Sequence, residues 1–126
     1  MGFLTLEGLT RLYGDVAAVS DVSLSVAKGE FVSLLGPSGC GKSTVALSLL
    51  GLLTPTRGRI VLDGHVVTEQ QSVDRKRLAR IAQMVFQDPT DSLNPRFTAA
   101  RAIADPIMQL GDVRGRAALR DRCEEL

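Results

Sequence analysis

The chemistry in this sequence is concentrated in Gly36-Pro37-Ser38-Gly39-Cys40-Gly41-Lys42-Ser43-Thr44, which fits G-x-x-x-x-G-K-[ST] and directly follows an apolar run. Residues of these types at this spacing make a phosphate cradle. The glycines let the backbone turn tightly enough for successive N–H groups to face one concavity, and a following helix adds the positive end of its dipole. Lys42 would reach the outer phosphates as a point charge, and the Ser43 hydroxyl would bind a Mg²⁺ shared with a nucleotide. A Gly-rich turn arising by chance has no need of a strand before it and a helix after it, whereas this one has sequence for both.

Phe31-Val32-Ser33-Leu34-Leu35 is short, apolar and β-prone, as expected of a strand buried on both faces of a parallel sheet. Val45, Ala46, Leu47, Leu49, Leu50, Leu52 and Leu53 predict an apolar helix that Thr54-Pro55 ends. Further out, Phe3 to Glu7 and Asp21 to Val26 read as strands, and Lys28-Gly29-Glu30 as a turn into the phosphate-loop strand, so an antiparallel sheet is expected first. Arg59 to Leu62 reads as another strand, with Asp63-Gly64 a hairpin turn into His65-Val66-Val67. Asp74 would cap a short polar helix through Arg80, and Ile81 to Phe86 would form a buried strand. Ala99 to Leu110 and Arg114 to Leu126 read as two helices split near Gly111.

The 126 residues, 44 % hydrophobic, suffice for one domain, and a net charge of +1 argues against a dedicated nucleic-acid surface. No apolar run reaches the roughly 20 residues of a membrane span, and the N-terminus lacks a secretion-signal pattern, so the cytosol is the expected compartment. Of the two cysteines, Cys40 sits inside the phosphate loop, so a structural disulfide to Cys123 is not expected. Cys40 is a small spacer at a variable position, set beside phosphate-directed amides and Lys42 in a way that favours thiol reactivity. Arg75-Lys76-Arg77 with Arg80 reads as a solvated helix face, since no aromatics are interleaved. His65 has no Cys or second His partner for a metal site. Ile60-Val61-Leu62-Asp63 looks like an apolar strand ending in a metal-associated aspartate, but the next residue is Gly64, and we read it as the hairpin.

Several pieces in order resemble one family, the ATP-binding subunits of ABC transporters, over essentially the whole chain. Besides the phosphate loop they are Tyr13-Gly14 followed by Val16 and Ala18, Val22-Ser23-Leu24, Lys28-Gly29-Glu30, Pro55-Thr56-Arg57-Gly58, Asp63-Gly64 and Val85-Phe86-Gln87. Phe86-Gln87-Asp88-Pro89 running into Ser92-Leu93-Asn94-Pro95-Arg96 resembles the branch serving dipeptide, oligopeptide and nickel importers. The resemblance implies an α/β phosphate-loop NTPase fold with a flanking antiparallel β-subdomain, truncated at the start of the helical subdomain. In that organisation residues 1–30 and 57–70 are mainly antiparallel sheet, 31–54 the phosphate-loop strand and helix, 81–97 the glutamine loop, and 98–126 the start of the helical subdomain.

The resemblance also implies roles. ATP and Mg²⁺ would be the cofactors, held by Gly36, Pro37, Ser38, Gly39, Cys40, Gly41, Lys42, Ser43 and Thr44. Tyr13, with Val16 beside it, corresponds to the adenine-stacking aromatic, for which a flat ring suits a nucleobase face; alone it would read as a core or turn residue. Gln87 corresponds to the glutamine that joins Ser43 at the metal and senses the γ-phosphate; alone it would read as a solvated strand end. The segment after Gln87 corresponds to the contact with the membrane subunit, with Asp88-Pro89 fixing an extended path.

A working ATPase of this family also needs a Leu-Ser-Gly-Gly-Gln signature, an apolar strand ending in Asp-Glu, and a later histidine, and these 126 residues contain none of them. The expected parent function is ATP-driven import of a solute such as peptide or nickel, by a protein peripheral on the cytoplasmic face and paired with membrane subunits and a second ATP-binding subunit. This portion is expected to bind ATP without hydrolysing it, because no base positions water. Two alternatives stay open: a non-transport ABC ATPase, and a non-catalytic truncated remnant.

Overall fold

The computed structural model describes residues 2–69, 74–111, 113 and 115–125. They divide into two compact units, 1–82 and 83–126.

The first unit is built on a long hairpin. Strand β1 (Leu4–Tyr13) turns through Gly14-Asp15 into β2 (Val16–Val26), with Tyr13 paired to Val16. Gly14 has φ 60°, and only this first loop residue is left-handed, the pattern of a II′ turn matched to strand twist. Strand β3 (Arg57–Leu62) pairs antiparallel with the other side of β1, and β4 (His65–Val66) completes the order β2-β1-β3-β4. The β3–β4 turn is Asp63-Gly64, both left-handed (φ 47° and 77°), the I′ geometry expected of Asp-Gly. The early sheet and this hairpin match the reading of the sequence, although β1 and β2 run further than it suggested.

In β1 the alternation of buried and exposed residues breaks where Leu9 and Thr10 are both buried, and there the register with β2 and β3 shifts. Such a bulge leaves backbone groups for side chains to satisfy. Gly8 N–H donates to Ser23 Oγ (2.9 Å), and Asp21 N–H donates to Thr10 Oγ1 (3.0 Å).

The core under the sheet comprises Leu6, Leu9, Val19, Ile60, Leu62 and Val67, joined by Val45 of α1 (Lys42–Leu49) and Leu78 of α2 (Arg75–Ile81). Helix α2 starts where expected, with the Asp74 carboxylate accepting from Lys76 N–H (3.0 Å) and Arg77 N–H (3.2 Å). Helix α1 ends four residues before the expected Leu53. Gly51 (φ 66°) closes it, donating to Ser48 O (3.1 Å) while Leu52 N–H donates to Leu47 O (3.0 Å), so the helix stops without help from Pro55.

Two expected strands are absent. Residues 31–35 are in no strand, with Phe31 90 % and Leu35 92 % exposed, and residues 82–86 after α2 are likewise in no strand, with Val85 96 % exposed. A strand exists only through its ladder, and among the described residues neither segment forms one. Ile81, expected in the second of these strands, is instead the last residue of α2.

The second unit holds α3 (Pro89–Ser92), α4 (Ala99–Leu110) and α5 (Arg116–Glu124). Thr98 Oγ1 caps α4 by accepting from Arg101 N–H (3.3 Å), and Gly111 (φ 73°) ends it, as the sequence suggested. Residue 70 of the expected sheet, and Arg114 and Leu126 of the expected last helix, lie outside the described residues. No helix among the described residues is long and apolar enough to cross a membrane.

Candidate nucleotide site

The turn that launches the phosphate loop sits on Ala27–Glu30. Glu30 N–H donates to Ala27 O (3.1 Å), the Glu30 carboxylate accepts from Ala27 N–H (2.7 Å), and Gly29 supplies the left-handed residue (φ 80°). Residues 31–35, in no helix or strand, then lead to Gly36, and the loop closes on itself. Cys40 N–H donates to Pro37 O (3.3 Å), and the Lys42 ammonium donates to Gly36 O (2.6 Å) and Pro37 O (2.7 Å), with Cys40 Sγ 3.3 Å away. A Cβ on Gly36 would lie 2.6 Å from Cys40 Sγ, so a side chain there would turn the thiol aside.

Gly41 locks the loop to the sheet. It has φ 97°, and a Cβ there would strike the Ala18 carbonyl of β2. Val45 N–H donates to Gly41 O (3.0 Å) as α1 begins, and no side chain caps that first turn. Helix N-terminal amides without a protein cap, beside a lysine held over the loop carbonyls, form a setting that suits phosphate oxygens. The residues present therefore fit the triphosphate of a nucleotide. The Ser43 hydroxyl, in that first turn, is the group in this unit that could share a Mg²⁺ with it.

Tyr13 and Val16 close the β1–β2 hairpin, and both are exposed. Val16 is two residues, or about 7 Å of strand, from the Ala18 carbonyl that Gly41 abuts. One end of the β1–β2 hairpin thus carries both the expected base-stacking pair and the anchor of the phosphate loop.

Sequence reading missed the bracing around this hairpin. The Arg11 guanidinium lies over the Tyr13 ring (4.8 Å to the centroid) and donates from Nη1 to Thr54 O (2.6 Å). Thr56 N–H donates to Thr10 O (2.8 Å), and Leu12 N–H donates to Thr56 Oγ1 (3.0 Å). The three hydrogen bonds join residues more than forty positions apart, and no local spacing signals them.

Gln87 belongs to the second unit, in an exposed bend before Asp88. Asp88 is extended, as a residue before proline should be, but the path then turns into α3 with Pro89 as its first residue. Asp-Pro at the start of a helix was the available signal. The Asp88 carboxylate accepts from Thr90 Oγ1 (2.6 Å) and Thr90 N–H (2.8 Å), and these bonds hold its carboxyl below the ordinary value.

Residues 19–125 match the family described as ABC transporter. The chain is 46 % identical over 92 residues to the probable peptide ABC transporter ATP-binding protein y4tS of Sinorhizobium fredii, covering 73 % of this chain and 26 % of that protein. To the nickel import ATP-binding protein NikE of Escherichia coli it is 38 % identical over 119 residues, covering 87 % of this chain and 44 % of that protein. Among solved structures it superposes with TM-score 0.78 and 29 % identity on a dimeric ATP-binding cassette in a post-hydrolysis state bound to ADP and Pi, covering 97 % of this chain and 54 % of the other. The chain spans less than half the length of these curated relatives. The fold is that of the ABC ATPase cassettes, with the antiparallel sheet flanking the phosphate loop. Because the family match takes in the loop, most of β2 and the helices beyond, this chain belongs to the ABC transporter family.

Proposed function

We propose that this chain is the nucleotide-binding portion of the ATP-binding subunit of an importer, and that it holds Mg-ATP through Gly36 to Thr44. The observation that carries the reading is the self-closed loop, with Gly41 wedged against Ala18 and the Lys42 ammonium at 2.6–2.7 Å from two loop carbonyls ahead of an uncapped helix. Tyr13 and Val16 receive the adenine. Ser43 holds the Mg²⁺, which when bound neutralises phosphate charge. The peptide and nickel import named for the relatives point to a solute of that kind, and the dimeric cassette points to a second ATP-binding subunit as partner. Membrane subunits would be engaged through the segment after Gln87, placing the protein at the cytoplasmic face of the membrane.

The 126 residues carry no Asp-Glu strand and no Leu-Ser-Gly-Gly-Gln segment, so the chain binds ATP but does not turn it over. Isothermal titration with Mg-ATP tests the site. Lys42→Ala removes a charge-assisted donor set worth about 1.5–3 kcal/mol and should weaken binding at least tenfold. Equal affinity of variant and parent would exclude the site as drawn. Phosphate release by the parent should stay at background, and sustained turnover abolished by Lys42→Ala would exclude the non-hydrolytic reading.

A further inference from the structure

We propose that Arg11 is a positioning residue for the nucleobase: it fixes the plane of the Tyr13 ring and thereby sets preference for a nucleotide over bare polyphosphate. The proposal rests on reading Tyr13 as the base-stacking aromatic. Tyr13 sits at a hairpin tip and is 51 % exposed, so little else holds its ring. Arg11 is held at two points, over the ring face at 4.8 Å and at Thr54 O through Nη1 at 2.6 Å, and its Nε is buried. Thr54 lies on the exit of α1, the helix whose first residue is Lys42, and Thr56 ties that exit to Thr10 and Leu12 on either side of Arg11. The ring is therefore referenced to the far end of the helix whose near end faces the phosphates.

A cation over one face of a phenol ring is attracted by its quadrupole, and from that side it leaves the opposite face for a base to stack on. Ordering the ring beforehand removes a side-chain entropy cost that stacking would otherwise carry. Ligands without a base gain nothing from this. Thus Arg11 should matter for ATP and be indifferent to tripolyphosphate.

The test is titration of the full chain with Mg-ATP and with magnesium tripolyphosphate. Arg11→Leu should weaken Mg-ATP by about three- to tenfold, as expected for a lost cation–π contact, and leave tripolyphosphate unchanged. Arg11→Lys should retain most of the ATP affinity, because an ammonium can still lie over the ring. Arg11→Gln, which keeps a donor for Thr54 O but no charge, serves if the leucine variant fails to fold, and should show the same selective loss. The single tyrosine and the absence of tryptophan make intrinsic emission a reporter of this one ring; Mg-ATP should change it in the parent and less in Arg11→Gln. Unchanged ATP affinity in the leucine or glutamine variant, or equal loss of both ligands, would overturn the proposal. Tyr13→Ala separates the two levels. If it weakens ATP while Arg11→Gln does not, the base platform stands and the role of Arg11 falls; if it too has no effect, the base-stacking reading fails and takes this proposal with it.

Discussion

At Gly41 two independent constraints meet in one residue, a left-handed φ of 97° and contact with the Ala18 carbonyl. Gly41→Ala must relieve both, which should cost about 2 kcal/mol or more and weaken Mg-ATP binding together with stability. Chemical denaturation read beside titration checks this, and a variant as stable as the parent would mean that the loop stands off the sheet. Cys40 offers a complementary probe, because its exposed sulfur lies 3.3 Å from the Lys42 ammonium. Maleimide labelling at Cys40, read by mass spectrometry, should be slowed by Mg-ATP. Labelling indifferent to saturating nucleotide would place the phosphates elsewhere.

Among the elements, β3 carries the centre of the first unit's core. Ile60 is fully buried and paired with Leu6, so Ile60→Ala should cost about 2–5 kcal/mol in a melt of that unit. The α3 turn is governed instead by charge. Because Thr90 holds the Asp88 carboxyl below 3.8, the capping contribution is fully present above pH 3.8 and is lost as pH falls through the lowered value. The Thr90 amide resonance, followed by NMR, should therefore titrate with a midpoint below the ordinary aspartate value of 3.8; a midpoint at or above 3.8 would deny the cap. Elements whose cause is local were legible in the sequence: the Asp63-Gly64 hairpin, the Asp74 cap, and α4 between Thr98 and Gly111. The α1 end was misread because Leu50 to Leu53 continue the apolar run while Gly51 ends it. The strands at 31–35 and 82–86 were misread for a different reason. Their apolar composition suits a ladder, and neither segment forms one among the described residues. The phosphate loop was legible because its motif is contiguous, whereas Arg11 needed Thr54 and was not.

Over the whole molecule, apolar surface is distributed unevenly. Phe31 and Leu35 lie almost wholly exposed in a segment that belongs to no strand or helix, and such apolar surface recruits other chains. Phe31→Ser with Leu35→Ser should alter stability by no more than about 0.5 kcal/mol each and raise the concentration at which light scattering begins. Unaltered scattering would place the association surface elsewhere. The edge strand β2 is better defended, since Asp21 stands left-handed (φ 51°) in its middle and interrupts the ladder with a charge. Every partner of the β2-β1-β3-β4 sheet lies within residues 4–66. During synthesis, that sheet can close as soon as β4 has left the ribosome, and the loop strung between β2 and β3 is then pinned at Gly41 before any of residues 83–126 has emerged. Vectorial folding would thus set the glycine-rich loop ahead of the whole second unit.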